Sequence, residues 1–285
     1  MKSIDLKDWI LFGEGGNGKT YRPADNSEEI LLKVNKGKGA TLEQVKWEFE
    51  SSNAVRRLGI DTPALYEIVQ VGKKYGILFQ RVKGKKSISR ICADNPERIE
   101  EAAALLSKKG RELHSTECTD PMFRPISETA RKGLEAFRLF LNKDQYNVVK
   151  RWIDELPQTQ SCLHGDFNPG NLIVAGEEIY WIDLGRFSYG DPMMDIAHLY
   201  LFCVVMSHTF IVQNLAHMTE RQLKDFWKAF LKAEGLSSAE EIAQYERNIR
   251  KFYVLDWMVR QGFKKSTLLA LLTAHSFKKI INELQ

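Results

Sequence analysis

The chain lacks a long apolar run, a paired-cysteine spacing, a strong charge excess and any internal repeat, and each absence closes a class of function. Its longest apolar tract, Ile196 to Val212, is interrupted by His198, Ser207, His208 and Thr209. It falls short of the roughly 20 residues a bilayer span requires and reads as one buried helix within 193–212. The N-terminal MKSIDLKDWILF holds a four-residue apolar run, too short for the core of a signal peptide. The four cysteines, Cys92, Cys118, Cys162 and Cys203, form no C-x-x-C pair and no cluster with histidine. They read as reduced thiols of a cytoplasmic protein, with neither a disulfide frame nor a zinc site. A formal net charge of +4, scattered over 285 residues, is compatible with a polyanionic nucleotide but lacks the clustered basic face of a nucleic-acid binder. Neither a membrane nor a nucleic-acid partner is expected.

What is present divides the chain in two. Residues 7–34 alternate short apolar runs with turn residues (DWILF, GEGGNG, KTY, PADNSEE, ILLKV), a strand–loop–strand–turn–strand pattern with a turn at Asp25-Asn26. Helical periodicity over 41–58 comes next, then two strands, LYEIV and YGILFQRV, around a polar VGKK turn. Beyond them the pattern is helical: a helix through His114 with Asn95 as N-cap and Pro96 in its first turn, then 127–142, 144–155, 193–212, 219–233, 238–260 and 264–283. The expected class is α+β in two lobes. A small antiparallel-sheet lobe with one main helix spans 1–82, and a larger, mostly helical lobe spans 83–285, with a cleft between them.

The most specific segment is HGDFNPGNLIV (164–174), followed by IYWIDLGR (179–186). It sets His164, Asp166 and Asn171 in an H-x-D-x-x-x-x-N spacing, with Asp183 beyond a strand-like run. Phosphoryl transfer from a nucleotide needs such a set: one carboxylate to orient the attacking hydroxyl, and a carboxylate with an amide oxygen to hold magnesium against the phosphates. Asp166 is the candidate base or orienting group, and Asn171 and Asp183 are the candidate metal ligands, being hard oxygen donors of the kind magnesium favours. His164 reads as a brace for the loop.

GEGGNGKT (13–20) satisfies two patterns. As G-x-G-x-x-G, through Gly13, Gly15 and Gly18, it resembles the glycine loop that folds backbone amides over phosphates; as G-x-x-x-x-G-K-[ST], with Lys19 and Thr20, it matches a P-loop. A P-loop must run straight into a helix whose N-terminus binds phosphate. Here Tyr-Arg-Pro-Ala-Asp comes next, a strand and a turn, so the glycine loop is preferred. In ILLKV, Lys33 sits mid-strand in an apolar run. Either it lies on an edge strand and faces solvent, or it reaches the phosphates and is held by a glutamate of the next helix. At ~100° per residue, Glu48 borders the buried stripe of Leu42, Val45 and Phe49, whereas Glu50 faces away. Glu48 is the expected partner.

Taken together, the glycine loop, Lys33, the helix with Glu48, LHS at 113–115, HGDFNPGN and IDLGRFSYGDPMMD at 182–195 resemble the aminoglycoside phosphotransferase and choline kinase family, a branch of the protein-kinase-like fold. The resemblance covers most of the chain. It implies ATP or GTP as phosphoryl donor with Mg2+, and an adenine hydrogen-bonded to backbone at Phe79, Gln80 and Val82. It also implies a buried, structural role for Asp195. Leu184 stands where the family often has Phe, and Asn168 where His is common.

Only residues 184–189 separate Asp183 from Gly190-Asp191-Pro192, which leaves no room for the activation segment on which protein kinases hold peptides. Gly165, not Arg, follows His164. The expected acceptor is therefore a hydroxyl of a small molecule: choline or ethanolamine, a sugar, an amino alcohol or an aminoglycoside. Residues 201–285 carry twelve Lys and Arg against eight Asp and Glu, a balance that weighs mildly against a polycationic antibiotic. Trp227, Tyr245, Tyr253 and Trp257 either form a cation-binding cage or belong to the core, the latter being usual at helical spacing. The competing reading is a catalytically silent kinase-like module that binds nucleotide or metabolite. Asp166, Asn171, Asp183 and Lys33 together argue against it.

Overall fold

Alternating apolar residues near the N-terminus pair into a sheet, and helical periodicity governs most of the chain beyond it. The computed structural model describes residues 1–14, 18–25, 29–36, 41–263 and 277–284. In chain order the first elements are β1 (Lys2–Ser3), β2 (Trp9–Glu14), β3 (Gly18–Pro23), β4 (Ile30–Asn35), α1 (Leu42–Arg57), β5 (Leu65–Val71) and β6 (Lys74–Gln80). Next come β7 (Lys86–Ser87), α2 (Ile88–Asp94), α3 (Ile99–Ser115), α4 (Ile126–Phe137) and α5 (Lys143–Asp154). The remainder is β8 (Cys162–Leu163), β9 (Leu172–Ala175), β10 (Glu178–Trp181), β11 (Ser188–Tyr189), α6 (Met193–Tyr200), α7 (Phe210–Ala216), α8 (Glu220–Ala233) and α9 (Ala239–Phe263); 277–283 is again helical.

Two compact units result, one of Met1–Lys86 with Leu172–Gly185, the other of Ser87–Asn171 with Arg186–Gln285. A single cut near 82 does not capture this, because the β9–β10 hairpin groups with the first unit. The Trp181 amide donates to Asp61 O at 2.9 Å and ties it there.

In the first unit the strand order is β1-β5-β6-β4-β3-β2. All neighbours are antiparallel except β1, a two-residue strand parallel to β5 that composition gave no hint of. Leu32, Val34, Val69, Val71, Leu78 and Ile4 pack as one apolar layer, each contributing roughly 1.5–3 kcal/mol by burial. The period of two then turns Leu31 and Lys33 the other way, toward α1, which packs on β5 and β6. Thr41 starts α1 by accepting the Gln44 amide at 3.3 Å. Gly18 pairs with Asn35, and a Cβ there would lie 2.6 Å from Val34 O. Strand packing alone therefore accounts for this glycine.

The second unit is helical: α3 packs on α8, and α4 and α6 on α9. Capping boxes at Asn142 and Thr219 start α5 and α8. Two helix expectations need adjustment and a third is only partly covered. The tract 193–212 is not one helix: α6 runs into a π turn at Leu201–Val205, and α7 leaves at 114° after a short break. The break falls where the polar residues interrupt the run, and Thr209 caps α7 by accepting the Val212 amide. Asn95 and Pro96 do stand at the N-cap and first position of a 3-10 turn, Pro96–Arg98, that leads into α3. The Asn95 side chain, however, makes no cap bond and donates instead to Ile91 O at the end of α2, a helix absent from the sequence-based expectation although Ser87 caps it. Finally, of the helix expected over 264–283, only 277–283 lies within the described residues. No single helix among the described residues is long and apolar enough to cross a membrane, while the bent α6–α7 pair passes by length and composition only.

Candidate active site

In the first unit Lys33 lies on β4, flanked by β3 and β6. This is a central strand, so the edge-lysine explanation fails. Its Nζ donates to Glu48 Oε1 at 2.6 Å, and Asn35 Nδ2 donates to Glu48 Oε2 at 3.2 Å. Both members of the ion pair remain partly exposed, 27% and 29%. Gly13 sits at a register shift between β2 and β3 with open space where a Cβ would be. Gly15 lies outside the described residues. Near the end of β6, the Gln80 amide donates to Ala64 O and the Arg81 amide to Glu29 O, while Gln80 Oε1 accepts the Ala64 amide at 3.0 Å. Phe79 pairs with Leu31 and Leu65. The amides of Gln80 and Arg81 are thus already used, and among the described residues no hydrogen bond engages the Val82 amide.

Asp183, two residues past β10, is exposed and has φ 60°, one of two described non-glycine residues in the left-handed region. Such a conformation is costly outside glycine, though Asp tolerates it better than most, and it is characteristic of functional turns.

The loop 164–171 of the second unit is organised from beneath by Asp195, in the first turn of α6. Its carboxylate accepts the His164 amide (2.8 Å), the Gly165 amide (2.9 Å) and a hydrogen bond from His114 Nε2 (3.0 Å). His114 also packs on Phe167 with ring centroids 5.6 Å apart. His164 is wholly buried and braces the loop by accepting the Asp166 amide at Nδ1 (3.2 Å). Gly165 has φ +74°, and a Cβ would stand 2.3 Å from Arg186 O; no other residue fits there. Asn168 donates to Asp166 O at 2.9 Å and accepts the Gly170 amide at 2.9 Å. Asn in place of the family's common His thus still closes the turn.

Asp166 is gripped at both oxygens. Oδ2 accepts from Asn171 Nδ2 at 3.2 Å, and Oδ1 lies 3.0 Å from His198 Nε2. Arg186 Nη1 and Arg260 Nη2 are each 3.9 Å from Oδ1. Burial alone would raise the Asp166 pKa. The hydrogen bond and charge of His198, with the charges of Arg186 and Arg260, outweigh it and hold the carboxyl well below the usual range. An ionised, weakly basic carboxylate suits orienting a hydroxyl in a loose phosphoryl-transfer transition state better than full deprotonation. Asn171 Nδ2 also donates to Asp166 O at 2.8 Å. No hydrogen bond among the described residues uses Asn171 Oδ1, so that oxygen remains as a hard donor.

His198, Asp256, Arg260 and Arg186 were not identified from the sequence as site residues. His198 counted only as an interruption of an apolar tract, and Asp256 and Arg260 only as regional charge; their one local signal is the i,i+4 spacing on α9. The aromatic cage is not formed. Trp227 stacks on Phe230 and donates to Glu246 Oε1 at 2.8 Å, whereas Tyr253 and Trp257 pack on Phe277. All three are buried. No group of three or more His, Cys, Asp or Glu among the described residues forms a metal cage.

A model of the phosphotransferase enzyme family matches residues 8–239. No curated protein matches the sequence. Among solved structures, a choline/ethanolamine kinase family protein from Mesorhizobium loti aligns with TM-score 0.55 and 13% identity, over 96% of this chain and 84% of that one. A thermostable mutant of aminoglycoside phosphotransferase APH(4)-Ia, in a ternary complex with AMP-PNP and hygromycin B, gives 0.63 and 12%, over 97% and 93%. Aminoglycoside phosphotransferase APH(3'')-Id from Streptomyces rimosus, in complex with ADP and streptomycin, gives 0.53 and 19%, over 88% and 92%. At such identities the likeness carries the fold, the protein-kinase-like fold expected from the motifs.

Proposed function

The chain belongs to the phosphotransferase enzyme family, and from that premise we propose that it is a magnesium-dependent kinase transferring the γ-phosphoryl group of ATP, or GTP, to a hydroxyl of a small molecule. The observation that carries the reading is the Lys33–Glu48 pair at 2.6 Å, set in the middle of a sheet yet only half buried. An ion pair that open to solvent adds about 0–1 kcal/mol to stability, too little to explain a charge in an apolar strand. A lysine held ready for the α- and β-phosphates does explain it.

In this reading the β2–β3 connection that Gly13 and Gly18 flank is the loop over the phosphates, and the Val82 amide is the backbone donor left for a purine beside Phe79 and Gln80. Asp166 orients the acceptor hydroxyl. Asn171 Oδ1 and the exposed Asp183 carboxylate are both hard oxygen donors of the kind that would hold magnesium, which prefers one or two protein oxygens together with phosphates and water. When bound, the ion neutralises charge building on the phosphate oxygens. As a domain assignment, the sheet-rich unit takes the nucleotide and the helical unit takes the acceptor. The acceptor classes are choline or ethanolamine, sugars, amino alcohols and aminoglycosides. The cation of an aminoglycoside or of choline would face His198, Arg186 and Arg260 around Asp166, which tilts the choice toward acceptors without a positive charge beside the reacting hydroxyl.

The test is Mg-ATP consumption, with mass-spectrometric detection of phosphorylated product, across choline, ethanolamine, homoserine, sugars and aminoglycosides. At least one acceptor is expected to gain a phosphate. Wild-type protein that binds Mg-ATP but phosphorylates none of them would return the chain to the silent binding class.

A further inference from the structure

The side chain of an aspartate turns about a broad, roughly two-fold torsion, so a carboxylate that must present a hydroxyl at one angle has to be oriented from outside. Asp166 is held at two points. Asn171 takes Oδ2, and His198 takes Oδ1 at 3.0 Å from within α6. His198 is in turn anchored on its far side, with Nδ1 3.3 Å from Asp256 Oδ2 on α9. Asp256 accepts from Arg260 Nε at 3.0 Å, and Arg260 Nη2 also contacts the imidazole. Carboxylates only accept, so an imidazole between two of them serves both by carrying a proton on each nitrogen, and Arg260, which only donates, then acts on it through Asp256.

Stability does not require this chain of groups. The helix around His198 reads Met-Met-Asp-Ile-Ala-His-Leu-Tyr, His198 is 5% exposed and Asp256 6%, and an apolar residue at each position would fill the space. Replacing a buried ion network by well-packed apolar side chains is often neutral or stabilising. The arrangement ends on one functional atom, Asp166 Oδ1. We propose that His198, tethered by Asp256 and Arg260, is a positioning residue that fixes the carboxylate plane of Asp166 and leaves the remaining lone pair on each oxygen for the acceptor. This inference rests on the kinase reading above.

The experiment compares kcat and KM for Mg-ATP in wild type, His198→Leu, His198→Gln, Asp256→Asn, Asp166→Asn and the His198→Leu/Asp166→Asn double variant. Turnover is followed with the acceptor the panel identifies, or as Mg-ATP hydrolysis with water as acceptor. A misplaced reacting group costs up to about 100-fold in rate. Accordingly His198→Leu should lower kcat by roughly 10- to 100-fold with KM for Mg-ATP unchanged. His198→Gln, whose amide nitrogen can still donate to Asp166 Oδ1, should recover much of the rate, and Asp256→Asn should fall between wild type and His198→Leu. In the Asp166→Asn background, His198→Leu should change nothing further. A folded His198→Leu variant with wild-type kcat, or an equal loss in the Asp166→Asn background, overturns the proposal. If thermal melting shows that His198→Leu does not fold, Asp256→Asn with wild-type kcat overturns it. Full turnover by Asp166→Asn, or no turnover by wild type under any condition, would instead break the kinase reading itself.

Discussion

Two charged clusters, one in each unit, are built differently. Lys33 and Glu48 form an ion pair in which Asn35 also donates to the Glu48 carboxylate, both partners about a quarter exposed. Asp166, His198, Asp256 and Arg260 form a connected chain whose middle members are almost fully buried. Water screens the first, so forming it is worth little and giving up part of it to a phosphate costs little. The middle of the second, His198 and Asp256, is shielded from solvent although Asp166 and Arg260 at its ends are not, and removing a buried member strands the charge of its neighbour, a loss of about 3–5 kcal/mol. The first cluster is thus free to exchange partners while the second is fixed, a division that suits the proposed roles of a nucleotide arriving at one and a hydroxyl being oriented at the other.

The sharpest way to break that comparison is at Asp166. Asp166→Asn keeps the side-chain shape and should lower kcat by about 10²–10⁴-fold, while calorimetric titration finds Mg-ATP binding nearly unchanged. Asp183→Ala should lose turnover and also weaken Mg-ATP binding. Next in size is the stability contrast. Asp256→Ala leaves Arg260 and His198 without their anchor and should cost about 3–5 kcal/mol in urea unfolding, whereas Glu48→Gln should cost under about 1 kcal/mol. Equal losses would mean that the two clusters are not energetically distinct. Lys33→Met, measured by the same titration, should weaken nucleotide binding and leave the unfolding midpoint close to wild type.

The range of each interaction decides how much of this is legible in the sequence. Glu48 can be chosen over Glu50 because helical phase sets which glutamate borders the buried stripe, and that phase is local. The loop 164–171 is legible for the same reason: its bracing by His164 and Asn168 spans two residues. Asp256 and Arg260 reach His198 from 58 and 62 positions away, and their i,i+4 spacing on α9 does not say which residue they meet. The break between α6 and α7 escapes a reading that weighs apolar content above the polar Ser-His-Thr step that ends the run. At Gly165 the sequence shows only the arginine it displaces, although its backbone geometry and the closeness of Arg186 O decide the residue.

The smallest expected effect is on the pH dependence of folding. Burial and the Arg260 charge lower the His198 pKa, but Asp256 and Asp166 raise it more, and the folded value lies above that of an ordinary histidine. A group with a raised folded pKa contributes stability that is fully present below the unfolded value and is lost as pH rises through the folded one. Unfolding free energy should therefore hold up to about the ordinary histidine range and decline above it, as far as the raised value. In His198→Gln that decline should vanish, because no proton remains to be lost there. In Asp256→Asn it should shrink and move toward lower pH, since the strongest charge holding the proton is gone. A wild-type profile flat through this range, with the same slope in all three proteins, would show that the imidazole is not protonated between its two carboxylates. The contrast between a fixed cluster at Asp166 and an exchangeable one at Lys33 would then rest on packing, not on charge.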